Sequence, residues 1–189
     1  MLKAALVSLL SLAVCGCAAP SLTYVEPLDG DRARVRFSTV TTGVTVVRAY
    51  DDPGCASNEK EWMRLIAGES PVIKSTPKRL GMPGWYQHTN AAKEVYVDAS
   101  KPLTFLFAGN ETRGATAYRC GVPLTFKFEK GRDYQLAYHM APPTQCFVIV
   151  SEVNEDASGP TSTVLERFGN HIRPEAEMCL QQFKKQRWQ

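Results

Sequence analysis

Short runs of alternating apolar and polar residues dominate the chain from residue 32 onward, separated by Gly, Pro and Asp. In the first run Ala33, Val35 and Phe37 share one face, and three arginines lie on the opposite face. Such alternation predicts a strand with one buried side, because successive side chains of a strand point to opposite faces. Seven or eight strands are expected, including strands at 32–37, 43–50, 94–98, 103–107, 123–129, 132–140 and 146–152. Many short strands with frequent turn signals are typical of an antiparallel β-sandwich.

Two segments carry helical signals instead. Residues 58–67 begin with Asn and Glu at capping-box spacing, place three apolar residues on one face and end before Gly68. Residues 174–189 begin with a proline, carry acidic residues in the first turn and end with basic residues, which suits the helix dipole. The predicted fold is mainly β: an antiparallel immunoglobulin-like sandwich at 32–173 with one short inserted helix, followed by a C-terminal amphipathic helix at 174–189.

The residues that open the strand at 132–140 contain a local signal. Gly131 lies three residues before Tyr134, and the apolar Phe128 lies six residues before it. This spacing resembles the tyrosine corner of immunoglobulin-like sandwiches, which implies that the ring packs in the core and the hydroxyl group bonds upstream backbone. Leu136 stands where a true immunoglobulin domain has a cysteine, so we do not expect a true immunoglobulin domain.

The first seventeen residues have the features of a bacterial lipoprotein signal. Lys3 precedes an apolar stretch at 4–14 that is too short to span a membrane and suits a signal-peptide core. The sequence Val-Cys-Gly-Cys at 14–17 resembles a lipobox. The resemblance implies a signal peptide at 1–16, a lipid with fatty acids such as palmitate on the Cys17 thiol, and acylation of the Cys17 amine. Cys15 is the competing site, but it would place a bulky valine before the cut. The alternative is an ordinary cleaved signal with two incidental cysteines.

Lipidation would decide where the protein lies. Two or three acyl chains hold a protein on a membrane for practical purposes permanently. Ala18 stands where an Asp retains bacterial lipoproteins in the inner membrane, so the resemblance implies the outer membrane, with the domain facing the periplasm. Residues 17–31 are predicted to be a short tether that keeps the folded domain near the membrane surface.

Removal of residues 1–16 and acylation of Cys17 would leave four cysteines: Cys55, Cys120, Cys146 and Cys179. In an oxidising compartment they predict two disulfides, with three possible pairings. If the last three predicted strands form a meander, Cys120 and Cys146 lie two strand spacings apart, about 9–10 Å, beyond disulfide reach. We therefore predict the pairs Cys55–Cys120 and Cys146–Cys179. A zinc site or a catalytic thiol would be the alternative, but the chain has no CxxC spacing and no His within five residues of a Cys.

Two groups of residues are candidates for binding. The long irregular segment 69–93 contains three residues that can form a stacking platform for a sugar or peptide: Trp85, Tyr86 and His88. Alternatively, Leu80, Met82 and Trp85 plug one end of the sandwich. The second group is a basic row of Arg32, Arg34 and Arg36, which suits lipid phosphates or peptidoglycan carboxylates because arginine binds both through paired hydrogen bonds. Alternatively, the row protects an edge strand against aggregation. The basic residues at 184–188 have the same two interpretations.

Enzyme signatures are missing from the sequence. His88, His139 and His171 fit no metal-binding spacing, and the chain has no GxSxG, P-loop or GxGxxG motif. Of its 189 residues 44% are hydrophobic and the formal net charge is +3, which excludes an intrinsically disordered protein and gives no reason to expect nucleic acid binding. We predict no catalytic residues, no metal and no cofactor.

Several motifs occur together along residues 17–152. They are the lipobox, Tyr-Asp-Asp before Cys55, Leu-Gly-Met-Pro at 80–83, and Phe128 with Gly-Arg-Asp-Tyr at 131–134. This layout resembles a family of small proteobacterial lipoproteins of unassigned function, which implies no activity. We predict a non-catalytic binding or scaffolding module whose partners are the membrane and an envelope protein or peptidoglycan. The alternatives are a lysozyme inhibitor, which the pI near 8.5 disfavours because lysozyme is basic, a subunit of a secretion machine, or a glycan or peptidoglycan hydrolase.

Overall fold

A computed structural model describes residues 24–50, 55, 60–66, 79–84, 91–141 and 145–169. Nine strands make up the regular structure of this part of the chain: β1 (Arg32–Thr39), β2 (Val44–Tyr50), β3 (Lys60–Ile66), β4 (Ala92–Asp98), β5 (Leu103–Arg113), β6 (Thr116–Phe126), β7 (Asp133–Ala141), β8 (Gln145–Asp156) and β9 (Gly159–Phe168). Within these ranges no helix is long and apolar enough to span a membrane. The predicted signal peptide and the predicted C-terminal helix at 174–189 lie outside the described residues.

The strands form two sheets, with the orders β4-β1-β7-β8-β9 and β3-β2-β5-β6. Buried side chains from both sheets share one core, so the prediction of a mainly β sandwich is confirmed. The prediction that all strand pairs are antiparallel is wrong, because β1 and β7 pair in parallel, from Arg34 opposite Asp133 to Thr39 opposite Tyr138. Since β1 lies between β4 and β7, it is an interior strand and needs no protection as an edge.

Aromatic rings fill the centre of the sandwich. Phe37 of β1 faces Phe105 and Phe107 of β5, with ring centroids 5.4 and 5.9 Å apart. Ala33, Val35 and Phe37 are all fully buried, as their alternation with the arginines predicts. A valine or phenylalanine side chain contributes about 1.5–3 kcal/mol when it is moved from water to the core, so these contacts hold the two sheets together.

Residues 60–66 form β3, so the helix predicted at 58–67 is wrong over this stretch. The strand pairs with β2. Met63 lies opposite Val47, but the next β2 residue, Arg48, lies opposite Glu61, so the pairing skips one residue of β3. Trp62 is therefore the extra residue of a β-bulge, a distortion that changes where a side chain is aimed. As a result both Trp62 and Met63 contact the core. Pairing with β2 has overridden the local capping signal.

A disulfide joins Cys120 of β6 to Cys146 of β8, with the Cα atoms 6.1 Å apart. The predicted pairs are therefore wrong. The error lies in the assumed meander: β6 belongs to the four-stranded sheet and β8 to the five-stranded sheet, so the two cysteines face each other across the sandwich. Cys55 is also disulfide-bonded, and its partner lies outside the described residues.

Tyr134 has the structural role that the sequence predicts. Its ring packs against Phe126 and Phe128, with centroids 5.7 and 5.2 Å away. Its hydroxyl oxygen accepts a hydrogen bond from the backbone amide of Glu129, five residues upstream, at 3.1 Å. This contact fixes the turn at which the chain leaves the four-stranded sheet and enters the five-stranded one.

Candidate functional site

Arg34 and Arg36 point to the outer face of the five-stranded sheet, where both have partners within the protein. Arg36 is 4% exposed, and its guanidinium group contacts the Glu94 carboxylate at 2.7 Å. Arg34 forms two hydrogen bonds with the Asp133 carboxylate, at 2.7 and 2.6 Å. The hydrogen bond to Asp133 raises the pKa of Arg34. We call these four residues the arginine clamp.

The clamp holds residues 79–84 against the sheet. Nη2 of Arg36 lies 3.2, 3.0 and 3.0 Å from the carbonyl oxygens of Met82, Pro83 and Gly84. Glu94 accepts hydrogen bonds from the backbone amides of Leu80 and Met82, at 2.5 and 3.5 Å. Because Arg36 points away from the core, this segment covers the outer face of the sheet. Leu80 and Met82 therefore do not plug one end of the sandwich.

The expectation of an exposed basic row is not met, since Arg36 is buried and Arg34 is bound to Asp133. Arg32 donates a hydrogen bond to the carbonyl of Leu28 at 2.7 Å, and its guanidinium lies 4.2 Å from the centre of the Tyr96 ring. The other candidate group, Trp85, Tyr86 and His88, lies outside the described residues. The row is thus engaged in holding segments of the protein in place.

A cleft of about 640 Å³ opens at the end of the sandwich where the chain enters β1, which we call the entry end. Its walls come from residues 24–27, from the ends of β2 and β4, and from the starts of β3 and β5. The lining residues are Tyr24, Val25, Glu26, Pro27, Ala49, Tyr50, Lys60, Trp62, Asp98, Lys101, Pro102, Leu103 and Thr104. Aromatic rings thus line the cleft together with carboxylates and lysines.

No family model, curated protein or solved structure matches this chain.

Residues 24–31, which we call the strap, form one wall of the cleft. The Tyr24 hydroxyl donates a hydrogen bond to the carbonyl of Tyr96, and the amide of Tyr96 donates one to the Glu26 carboxylate at 3.2 Å. Burial, with smaller effects of Glu26 and Asp98, raises the pKa of Tyr24, which keeps its hydroxyl group a donor. The Ala99 amide donates to the carbonyl of Asp31 at 2.7 Å. Half of the predicted tether, from Tyr24 to Asp31, therefore lies on the domain.

Trp62 joins the strap to the core. Tyr24 stacks on it, with ring centroids 3.9 Å apart, and Phe105 meets it edge-on at 5.1 Å. The indole reaches both neighbours because the bulge in β3 aims it toward the entry end. Aromatic pairs of this geometry contribute about 0.5–1.5 kcal/mol beyond burial, so the wall is preformed.

The charged residues at the entry end are of both signs. The Ser100 hydroxyl group and then its backbone amide hold the pKa of Asp98 below its ordinary value, so that Asp98 is ionised at neutral pH. Lys101, which is exposed, also acts on Asp98 through its charge. A cleft with anionic and cationic groups beside aromatic rings suits a ligand that carries charges of both signs.

One histidine with a shifted pKa lies away from the cleft. His139 of β7 stacks on Phe147, with centroids 4.7 Å apart, and Arg167 lies 3.8 Å from the centre of the same ring. Burial, and then the charge of Arg167, lowers the pKa of His139, so that it is neutral at pH 7. Among the described residues, no group of three His, Cys, Asp or Glu side chains could hold a metal ion.

Proposed function

We propose that the protein is an outer-membrane lipoprotein anchored through Cys17, and that its periplasmic β-sandwich is a non-catalytic binding module. In this proposal the cleft at the entry end is the binding site, and the immunoglobulin-like character of the sandwich is part of the same hypothesis. The observation that carries the binding role is the preformed cleft of about 640 Å³. Its volume lies in the range of small-molecule sites.

The lining gives no support to hydrolysis through an activated hydroxyl or thiol group. The thirteen described residues that line the cleft include no His, Cys or Ser. The Tyr24 hydroxyl is bonded to the carbonyl of Tyr96, and the Thr104 hydroxyl lies 2.9 Å from that of Thr125. These hydroxyl groups already have partners, so neither is paired with a base as a nucleophile requires.

The proposed ligand is a fragment of peptidoglycan. Such fragments combine sugar rings with a peptide that carries carboxylates and an amine. Lys101 suits the carboxylates, Glu26 and Asp98 suit the amine, and the aromatic wall suits the sugar. A module held beside the membrane by its lipid would meet this polymer in the periplasm.

The anchor is tested by feeding producing cells an alkyne-bearing fatty acid. We expect wild-type protein to be labelled and Cys17→Ser to lose the label completely, because the lipobox places the lipid on that thiol. Cys15→Ser is the matched control and should keep the label. Full labelling of Cys17→Ser would refute the proposed anchor.

The cleft is tested by titrating the full chain with a soluble muropeptide and measuring heat. Lys101→Glu is expected to weaken binding about tenfold or more, because a charge-assisted hydrogen bond contributes about 1.5–3 kcal/mol. Arg119→Glu makes the same charge change at an exposed residue of β6 that does not line the cleft, so it should bind like the wild type. Equal losses in both variants would point to non-specific attraction and would reject the cleft as the site.

A further inference from the structure

Two apolar side chains of the strap are almost fully exposed. Val25 is 85% exposed and Leu28 is 89% exposed, more than any other large hydrophobic side chain in the described ranges. Single exposed apolar residues are common in soluble proteins and need no explanation. Here two occur within four residues of one segment, at the end of the domain closest to the proposed lipid.

The strap cannot readily withdraw these side chains from solvent. Tyr24 is fixed by its bond to Tyr96 and its stacking on Trp62, and Asp31 is fixed by its bond to the Ala99 amide. Arg32 also holds the carbonyl of Leu28 at 2.7 Å. The strap therefore presents Val25 and Leu28 in fixed positions.

Chain length places this end near the membrane. Tyr24 is seven positions after Cys17, and a fully extended chain of that length reaches about 25 Å at most. The other end of the sandwich is farther away by about the length of β1, which is eight residues, or roughly 26 Å. A short tether thus brings the entry end to the bilayer first.

We infer that Val25 and Leu28 dock in the headgroup region of the phospholipid bilayer to which Cys17 is anchored. The inference rests on the proposed acylation. The strap carries no excess of positive charge, because Asp31 is paired with Lys130 at 2.7 Å and Asp29 adds a negative charge. Docking should therefore depend on the apolar side chains and occur on zwitterionic vesicles, with no gain from anionic lipid.

The experiment uses the acylated full chain in phosphatidylcholine vesicles with brominated acyl chains. An environment-sensitive fluorescent amino acid replaces Leu28 in one sample and Val164 in another. Val164 is a matched control because it is 63% exposed and lies on β9, at the opposite edge of the sheet from β4. We expect quenching and a blue shift at position 28 and neither at position 164. With the probe at position 25, Leu28→Asp should reduce the quenching, whereas Val164→Asp should not.

The possible results separate this inference from the proposed function. Acylated, vesicle-bound protein whose position 28 stays in water would overturn the docking and leave the lipoprotein proposal intact. Equal quenching at positions 28 and 164 would also overturn it, because the contact would then be unspecific. Protein from cells that carries no lipid would overturn both together.

Discussion

Arg36→Ala should lower the free energy of unfolding by about 3–5 kcal/mol, because it leaves the buried Glu94 carboxylate without its counter-charge. The Glu94 side chain is only 8% exposed, so water cannot replace the guanidinium. The substitution also removes the donor that holds the carbonyl groups of residues 82–84. Urea denaturation gives the free energy, and hydrogen exchange at the amides of Leu80 and Met82 reports release of the segment.

The matched control is Lys130→Ala, which breaks the exposed pair with Asp31. Exposed pairs contribute about 0–1 kcal/mol, so this variant should unfold almost like the wild type. The double variant Arg36→Met/Glu94→Leu should recover part of the loss, because no charge is then buried without a partner. If Arg36→Ala were as stable as Lys130→Ala, the clamp would have no role in stability.

Loss of the Cys120–Cys146 disulfide is expected to cost about 3–4 kcal/mol of unfolding free energy. The cysteines are 26 residues apart, and the estimate follows from the loop-closure entropy that the crosslink removes from the unfolded chain. Chemical denaturation of Cys120→Ala/Cys146→Ala measures the effect. The double substitution is preferred to a single one because it leaves no reactive thiol.

A reductant is not an adequate substitute for this variant, because Cys55 is also disulfide-bonded and would be reduced as well. Comparison of the double variant with the reduced wild-type protein separates the two crosslinks. An unchanged midpoint and slope in the double variant would show that the sheets stay together without the crosslink. Peptide mapping that found Cys120 joined to another cysteine would contradict the fold itself.

Alternation predicted the strands of the core well. Seven of the nine strands overlap the predicted ones, because each places apolar residues at every second position against a dry interior. The turn before Tyr134 was also predictable, since its ring and hydroxyl contacts are local in sequence. Strand ends were less accurate, as the hairpin of β5 and β6 extends beyond the core to Arg113 and Thr116.

The two strands that were missed failed for different reasons. In β3, the spacing of Trp62, Leu65 and Ile66 fits one face of a helix. The same residues fit a strand only with the β-bulge, and the bulge forms through pairing with β2. In β9, most residues are exposed on both faces, so no alternation marks the strand. This strand forms because it pairs with β8, and the sequence of residues 159–168 alone does not indicate that pairing.

The cleft could not be predicted from the sequence. Tyr24, Trp62 and Lys101 are far apart along the chain, and they meet only because the strap, the start of β3 and the loop after β4 lie at the same end of the sandwich. The arginines were recognised, but their partners were not, since Glu94 and residues 80–84 carry no signal of contact with β1. The row of three arginines on one predicted strand could have suggested carboxylate partners. If another segment covers that face of the strand, the buried guanidinium groups need carboxylates to pair with.

The parallel pair of β1 and β7 also determines when the protein can fold. Residues that are neighbours in this pair, such as Arg34 and Asp133, are 99 positions apart. Strands that are far apart in sequence pair slowly, and β1 has only β4 as a neighbour until β7 joins the sheet. For a chain exported as proposed, this delay is useful, since a translocation channel accepts only an unfolded polypeptide. The larger sheet would be completed on the far side of the membrane, after β1 has waited for most of the chain to cross.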